Sequence, residues 1–157
     1  MLFYLKMVVY GRMVKVNEEH ITKSILLFLK SKDWNIFSFD YPQSGTGFFI
    51  HPNDRNDKNK DSLIPDIIAN KSNTCIIMEN KSYYYHNDFL KLNDLKSNIN
   101  YTNDLNNIKN RLKCDNILYG IGLPNEKKII SKSKEDIHLI DFIIAVNESS
   151  KCEVIFD

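Results

Sequence analysis

In VNEEHITKSILLFLKSKDW, Ile21, Ile25, Phe28 and Leu29 fall at helical spacing and define one apolar face. Asn17 is placed to cap the first turn, with Val16 set to pack on Ile21 as a hydrophobic staple. The period then shortens to two. NIFSFDY, Asn35 to Tyr41, predicts a strand halted by Pro42, and PQSGTG predicts a loop in which Gly45 and Gly47 relax the backbone. From Asn53 to Asp61 the chain is wholly polar and without period, as expected of a solvated loop.

Two strands follow, near Leu63 to Ala69 and Thr74 to Lys81, joined by the turn-forming NKSN. After the aromatic run SYYYH the helical period returns through Leu92, Leu95 and Ile99, then Tyr101, Leu105, Ile108 and Leu112. The phase slips between Ile99 and Tyr101, so the spacing predicts two helices, with Thr102 as the second N-cap. NILYGIGLP predicts another strand, and LIDFIIAVN and KCEVIF a closing pair around a polar turn. A helix or irregular stretch is expected near Ser133 to His138. The order predicts an α/β fold with a mixed central sheet flanked by α-helices.

With 157 residues the chain has room for one such domain, taken as residues 1–157 with 1–13 as a leader of undefined role. That opening stretch, MLFYLKMVVY, is interrupted by Lys6 and is shorter than the roughly 20 residues of a membrane helix. It also lacks the features of a signal peptide, so no membrane partner is expected. A net charge of +1 means that any polyanion must be held by local positive patches. Lys58 and Lys60, Lys91 and Lys96, and Lys127, Lys128, Lys132 and Lys134 in a further loop are the candidates. Cys75, Cys114 and Cys152 are widely spaced and odd in number, which argues against a disulfide framework and for a reducing cytoplasm.

Chemistry concentrates in IPDIIANKSNTCIIMENKS. Side chains alternate along a strand, so Cys75, Ile77, Glu79 and Lys81 share one face, and Ile76, Met78 and Asn80 the other. A four-residue hairpin loop would set Asp66 diagonal to Glu79; a tighter loop on Ser72 and Asn73 would set them directly opposite. Either register brings the two carboxylates to roughly 5–8 Å at the backbone, close enough to share a cation. Like charges this close are costly in a core without a partner, and an oxygen-rich, incomplete site suits Mg²⁺. Lys81 beside them could orient or activate a water and stabilise charge building on phosphorus.

Pro65 and Asp66, then twelve intervening residues and Glu79-Asn80-Lys81 after an apolar strand, resemble the PD-(D/E)xK nuclease superfamily. The resemblance covers most of the chain and implies the restriction-endonuclease-like fold. It also implies a Mg²⁺-dependent DNA endonuclease of the type II restriction kind, or its nuclease domain or subunit, with Asp66, Glu79 and the backbone carbonyl of Asn80 as metal ligands. Lys81 would assist the water, and Glu18 would be the helix acid, Glu19 pointing further round. Double-stranded DNA is the expected substrate, with a homodimer or a partner subunit. A Holliday-junction resolvase-like nuclease and a non-catalytic nuclease-like DNA-binding module are the rival readings. Gln43, Ser44 and Thr46 are expected in a surface turn, Tyr83 to Tyr85 in core and edge packing, and His20, His51 and His138 in structural or surface positions.

Overall fold

A computed structural model describes residues 16–41, 46–54 and 61–157. The leader, Pro42 to Gly45, and Lys58 and Lys60 lie outside the described residues.

Helix α1 (Glu18–Ser31) begins where the polar-apolar pattern places it, because the Asn17 side chain accepts from the His20 N–H at 2.8 Å. It buries Ile21, Ile25 and Leu29, leaves Phe28 partly buried, and has Val16 packed into the same cluster. Fully burying each aliphatic side chain is worth about 1.5–3 kcal/mol, so this one face suffices to hold the helix on the sheet.

Strands β1 (Asn35–Phe39), β2 (Ile67–Lys71) and β3 (Thr74–Asn80) form an antiparallel meander. The β2–β3 loop is the tighter of the two expected: Lys71 pairs with Thr74, leaving Ser72 and Asn73 as the turn, with Ser72 at φ 53°. Strand β2 starts at Ile67 rather than Leu63. Pro65 has no N–H to give to a ladder, and Leu63 instead makes an isolated bridge with Ile50.

From β3 the chain crosses over through α2 (His86–Ser97), a 3₁₀ turn at Ile99–Tyr101, and α3 (Thr102–Leu112). It returns as β4 (Asn116–Pro124), parallel to β3. Helix α4 (Lys127–Glu135) and a 3₁₀ turn at Ile137–Leu139 lead to β5 (Phe142–Val146), parallel to β4, and then to the antiparallel β6 (Cys152–Phe156). The described residues form a mixed six-stranded sheet in the order β1-β2-β3-β4-β5-β6, flanked by helices.

Two cores follow from strand alternation. Ile67, Ala69, Ile76, Met78 and Ile144 meet α1, while Ile68, Cys75, Ile77, Ile121 and Ile143 meet the buried faces of α2, α3 and α4. Expectations for the lysines and for the cysteines are overturned. Lys127, Lys128, Lys132 and Lys134 stand on a helix rather than in a loop: Ile130 and Ser133 are buried, and the Ser133 hydroxyl returns to the Ile129 carbonyl. Cys75 and Cys114 form a disulfide, because the crossover lays Cys114 just ahead of β4, where Ile117 pairs with Cys75, and brings the two Cα atoms to 6.2 Å. Thirty-nine residues of sequence separation are thereby closed in space, and the cysteine argument for a reducing compartment lapses.

Candidate active site

The β2–β3 register pairs Ile67 with Met78, and one further step sets Asp66 opposite Glu79. Both then lie on the α2 side of the sheet, in line with Ile68 and with Cys75 and Ile77. At this point the ladder gives way. Asp66 N–H still donates to the Met78 carbonyl at 2.9 Å, but the Asn80 N–H turns to the Asp66 carboxylate, donating to Oδ2 at 2.6 Å. Pro65, just before Asp66, has no N–H to donate to β3, so the ladder is not carried past Asp66 from that side. One carboxylate oxygen of Asp66 is thus fixed by the strand that carries Glu79.

Asn80 points the other way. Its Nδ2 donates to the Thr22 hydroxyl at 2.9 Å, and that hydroxyl donates to the Glu18 carbonyl, also at 2.9 Å. A fully buried Asn80 therefore ties the first turn of α1 to the strand, and its Oδ1 has no hydrogen-bond partner among the described residues. Gly122 on β4 makes the room: a Cβ there would stand 2.2 Å from Asn80 Oδ1 and 2.5 Å from Ile25 Cδ1. The Gly122 carbonyl also accepts from the Lys81 N–H at 2.9 Å.

Electrostatics follow from crowding. Burial pushes Glu79 up to about 8, with the Asp66 charge adding to it, Lys91 and Lys81 opposing, and Asp88 adding a little more. Burial likewise pushes Asp66 up to about 6 against the pull of the Asn80 N–H and of Lys81, while Glu18 and Asp40 add to the rise. Without a cation, the facing pair keeps a proton at neutral pH. Burial disfavours charge on Lys81, but Asp88, Glu18, Glu79 and Asp66 together outweigh it and raise its pKa. Its Nζ lies 4.0 Å from Glu18 Oε1 and 3.9 Å from Asp88 Oδ1.

The fold thus gathers all four sequence-designated side chains, with Glu18 at the rim, where it acts on Asp66 and Lys81 through charge. It adds two that sequence reading did not designate. Asp88, in the first turn of α2, has its own pKa raised by burial against Lys81 and Lys91. Lys91, one turn on, opposes the rise at Glu79 more strongly than Lys81 does. Lys91 was named only as a possible phosphate contact, and the spacing of Asp88 and Lys91 on one helical face was the signal for both.

Other designated residues lie elsewhere. Thr46 donates to the Phe39 carbonyl at 2.6 Å. His20 approaches the Asn147 carbonyl and His51 the Ser62 hydroxyl, in separate structural contacts. Tyr83 and Tyr85 are exposed, whereas Tyr84 packs on Phe89 and donates to Asp136, which also bonds His86 Nδ1 at 2.7 Å. Gly47 supplies space rather than an unusual angle, since a Cβ would meet Ile64 Cγ2 at 2.4 Å. Lys96 is engaged by Asp141 at 2.7 Å.

Among the described residues, no three His, Cys, Asp or Glu side chains form a group that could hold a metal ion. Asp66 and Glu79 supply two acids, so a cation there would need the Asn80 carbonyl, water or substrate oxygen to complete its shell. No protein-family model matches the chain, and neither do any curated protein or solved structure. The functional reading therefore stands on residues and geometry.

Proposed function

We propose that the chain is a Mg²⁺-dependent endonuclease of the PD-(D/E)xK type, with the restriction-endonuclease-like fold, hydrolysing phosphodiester bonds of double-stranded DNA. The observation that carries this reading is the Asp66–Glu79 pair, set opposite each other across β2 and β3, both held above the ordinary carboxylate range, with Lys81 two residues beyond. The donor set fits a hard divalent cation: two carboxylates that repel one another, all-oxygen chemistry, and an adjoining backbone carbonyl at Asn80. Such an ion lowers the pKa of a bound water and polarises a phosphoryl oxygen.

The chain's own residues divide the remaining work. The Asn80 N–H fixes the orientation of Asp66, and the Asn80 side chain holds the Glu18 turn of α1 near Lys81. Surrounded by carboxylates, Lys81 is kept as a cation, suited to hold a water by donation and to meet negative charge building on phosphorus. Lys91 is placed to receive a phosphate of the same strand once Glu79 is engaged. A cytoplasmic setting stays part of this proposal and requires that the buried Cys75–Cys114 bridge escape exchange with cellular thiols. No helix among the described residues is long and apolar enough to cross a membrane.

The test is cleavage of a long defined duplex, a supercoiled plasmid and a four-way junction in Mg²⁺ and in EDTA. The wild type is expected to cut the duplex only with Mg²⁺, and Glu79→Ala and Lys81→Ala to lose about 100-fold or more. Preference for the junction would transfer the reading to a resolvase. DNA binding without cleavage in any condition would overturn it in favour of a binding module.

A further inference from the structure

Among the described residues strand β6 ends the sheet; it runs in register against β5 without a bulge and has no proline, and Glu153 is the one charged residue within it. Its α1-side row, Cys152, Val154 and Phe156, grows more exposed along the strand; Val154 is 37% and Phe156 66% exposed. The row continues inward as a groove of about 240 Å³ between α1 and the sheet, lined by Phe28, Leu118, Phe142, Ile144, Val154 and Phe156. The hairpin fixes which backbone groups face outward. Asn147 N–H donates to the Lys151 carbonyl, so the ladder's alternation turns Glu153 and Ile155 toward β5 and leaves the N–H and C=O of Cys152, Val154 and Phe156 on the open side.

Charge selects one partner for that edge. A second copy laid antiparallel with its two-fold axis at Val154 pairs Val154 with Val154, Cys152 with Phe156, Glu153 with Ile155, and Lys151 with Asp157. The outward N–H and C=O groups then meet one another, and each end of the junction carries a Lys–Asp pair on one face. Moving the axis to Glu153 sets two glutamates against each other, and moving it to Ile155 sets Glu153 against Asp157. Of these three axes, the one at Val154 joins the open groups along the whole strand without opposing like charges.

We propose that two copies of this chain associate through β6 in that register, continuing the sheet across a two-fold axis and covering the groove beside Phe156. The inference does not depend on the proposed activity. One consequence bears on it: the axis stands perpendicular to the sheet, so the Asp66–Glu79 ends of the two copies face opposite directions.

Sedimentation of the full chain across a concentration series into the high micromolar range tests the assembly. The wild type is expected to dimerise, and Lys151→Asp and Asp157→Lys each to weaken the dimer about tenfold. The double swap, Lys151→Asp with Asp157→Lys, restores the opposite-charge pairing and is expected to recover the affinity. Val154→Pro, which removes an outward donor, is expected to be a monomer with an unchanged circular dichroism spectrum. A wild type that stays monomeric, or a dimer indifferent to all four variants, would overturn the proposal.

Discussion

Glu79 shows at the scale of one residue what a cation-ready site costs the fold. Its carboxyl and that of Asp66 move from ordinary values of 4.5 and 3.8 to about 8 and about 6, so the folded chain holds both protons more tightly than the unfolded chain. Linkage then gives the sign: where the native state binds more protons, stability falls as pH rises. The metal-free protein is expected to be most stable below the unfolded values and to lose stability progressively up to about pH 8. Glu79→Gln keeps the shape and removes the buried charge. It is expected to gain on the order of 2 kcal/mol at pH 8 in EDTA and to flatten the pH profile. Added Mg²⁺ is expected to stabilise the wild type and not the variant, and urea melts at several pH values with and without the ion measure both. A metal-free wild type that grows more stable between pH 5 and pH 8 would remove the electrostatic basis of the site.

Elements were legible where a short-range device fixes them. Asn17 and the Ile21, Ile25, Leu29 stripe define α1 by themselves, and the break at Ile99–Tyr101 appears as a phase slip because the 3₁₀ turn resets the helical register. Helix α4 was legible only at its end, as a helix or irregular stretch from Ser133, because four lysines dominate it and only Ile129, Ile130 and Ser133 carry its inner side. The start of β2 was misplaced for a related reason. Leu63 and Ile64 look like strand residues, but the bar to pairing is Pro65, whose effect depends on what β3 asks of it. Gly122 is the element-scale position on which the site depends, since β4 passes β3 with Asn80 and Ile25 filling the space over its Cα. Gly122→Ala forces those atoms aside and is expected to cost about 1–3 kcal/mol. Because the Asn80 N–H orients Asp66, the proposed cleavage should fall with stability. Denaturant titration alongside a cleavage assay tests this, and a variant as stable and active as the wild type would show that the strands can part there at no cost.

Across the whole molecule, legibility divides at the crossover. Asp66, Glu79 and Lys81 were readable because a hairpin of neighbouring strands relates them, and the choice between its two registers lay in where Ser72 and Asn73 turn. Asp88, Lys91 and the Cys75–Cys114 bridge were not, because each depends on how a connection of two helices returns beside β3. That same connection gives the bridge its energetic meaning. It closes a loop of 39 residues that includes α2 and α3, and so restricts the unfolded chain over the segment that brings Asp88 and Lys91 to the site. By loop-closure entropy, replacing both cysteines with alanine is expected to lower stability by about 2–4 kcal/mol. Cys75 and Cys114 are buried, so added reductant should act slowly on the folded protein and quickly once denaturant opens it. Thiol counting during urea unfolding, with and without reductant, checks both statements. Two free thiols in freshly isolated native protein, with no loss of stability in the double alanine variant, would mean that packing around the crossover, rather than a covalent tie, holds α2 against the sheet.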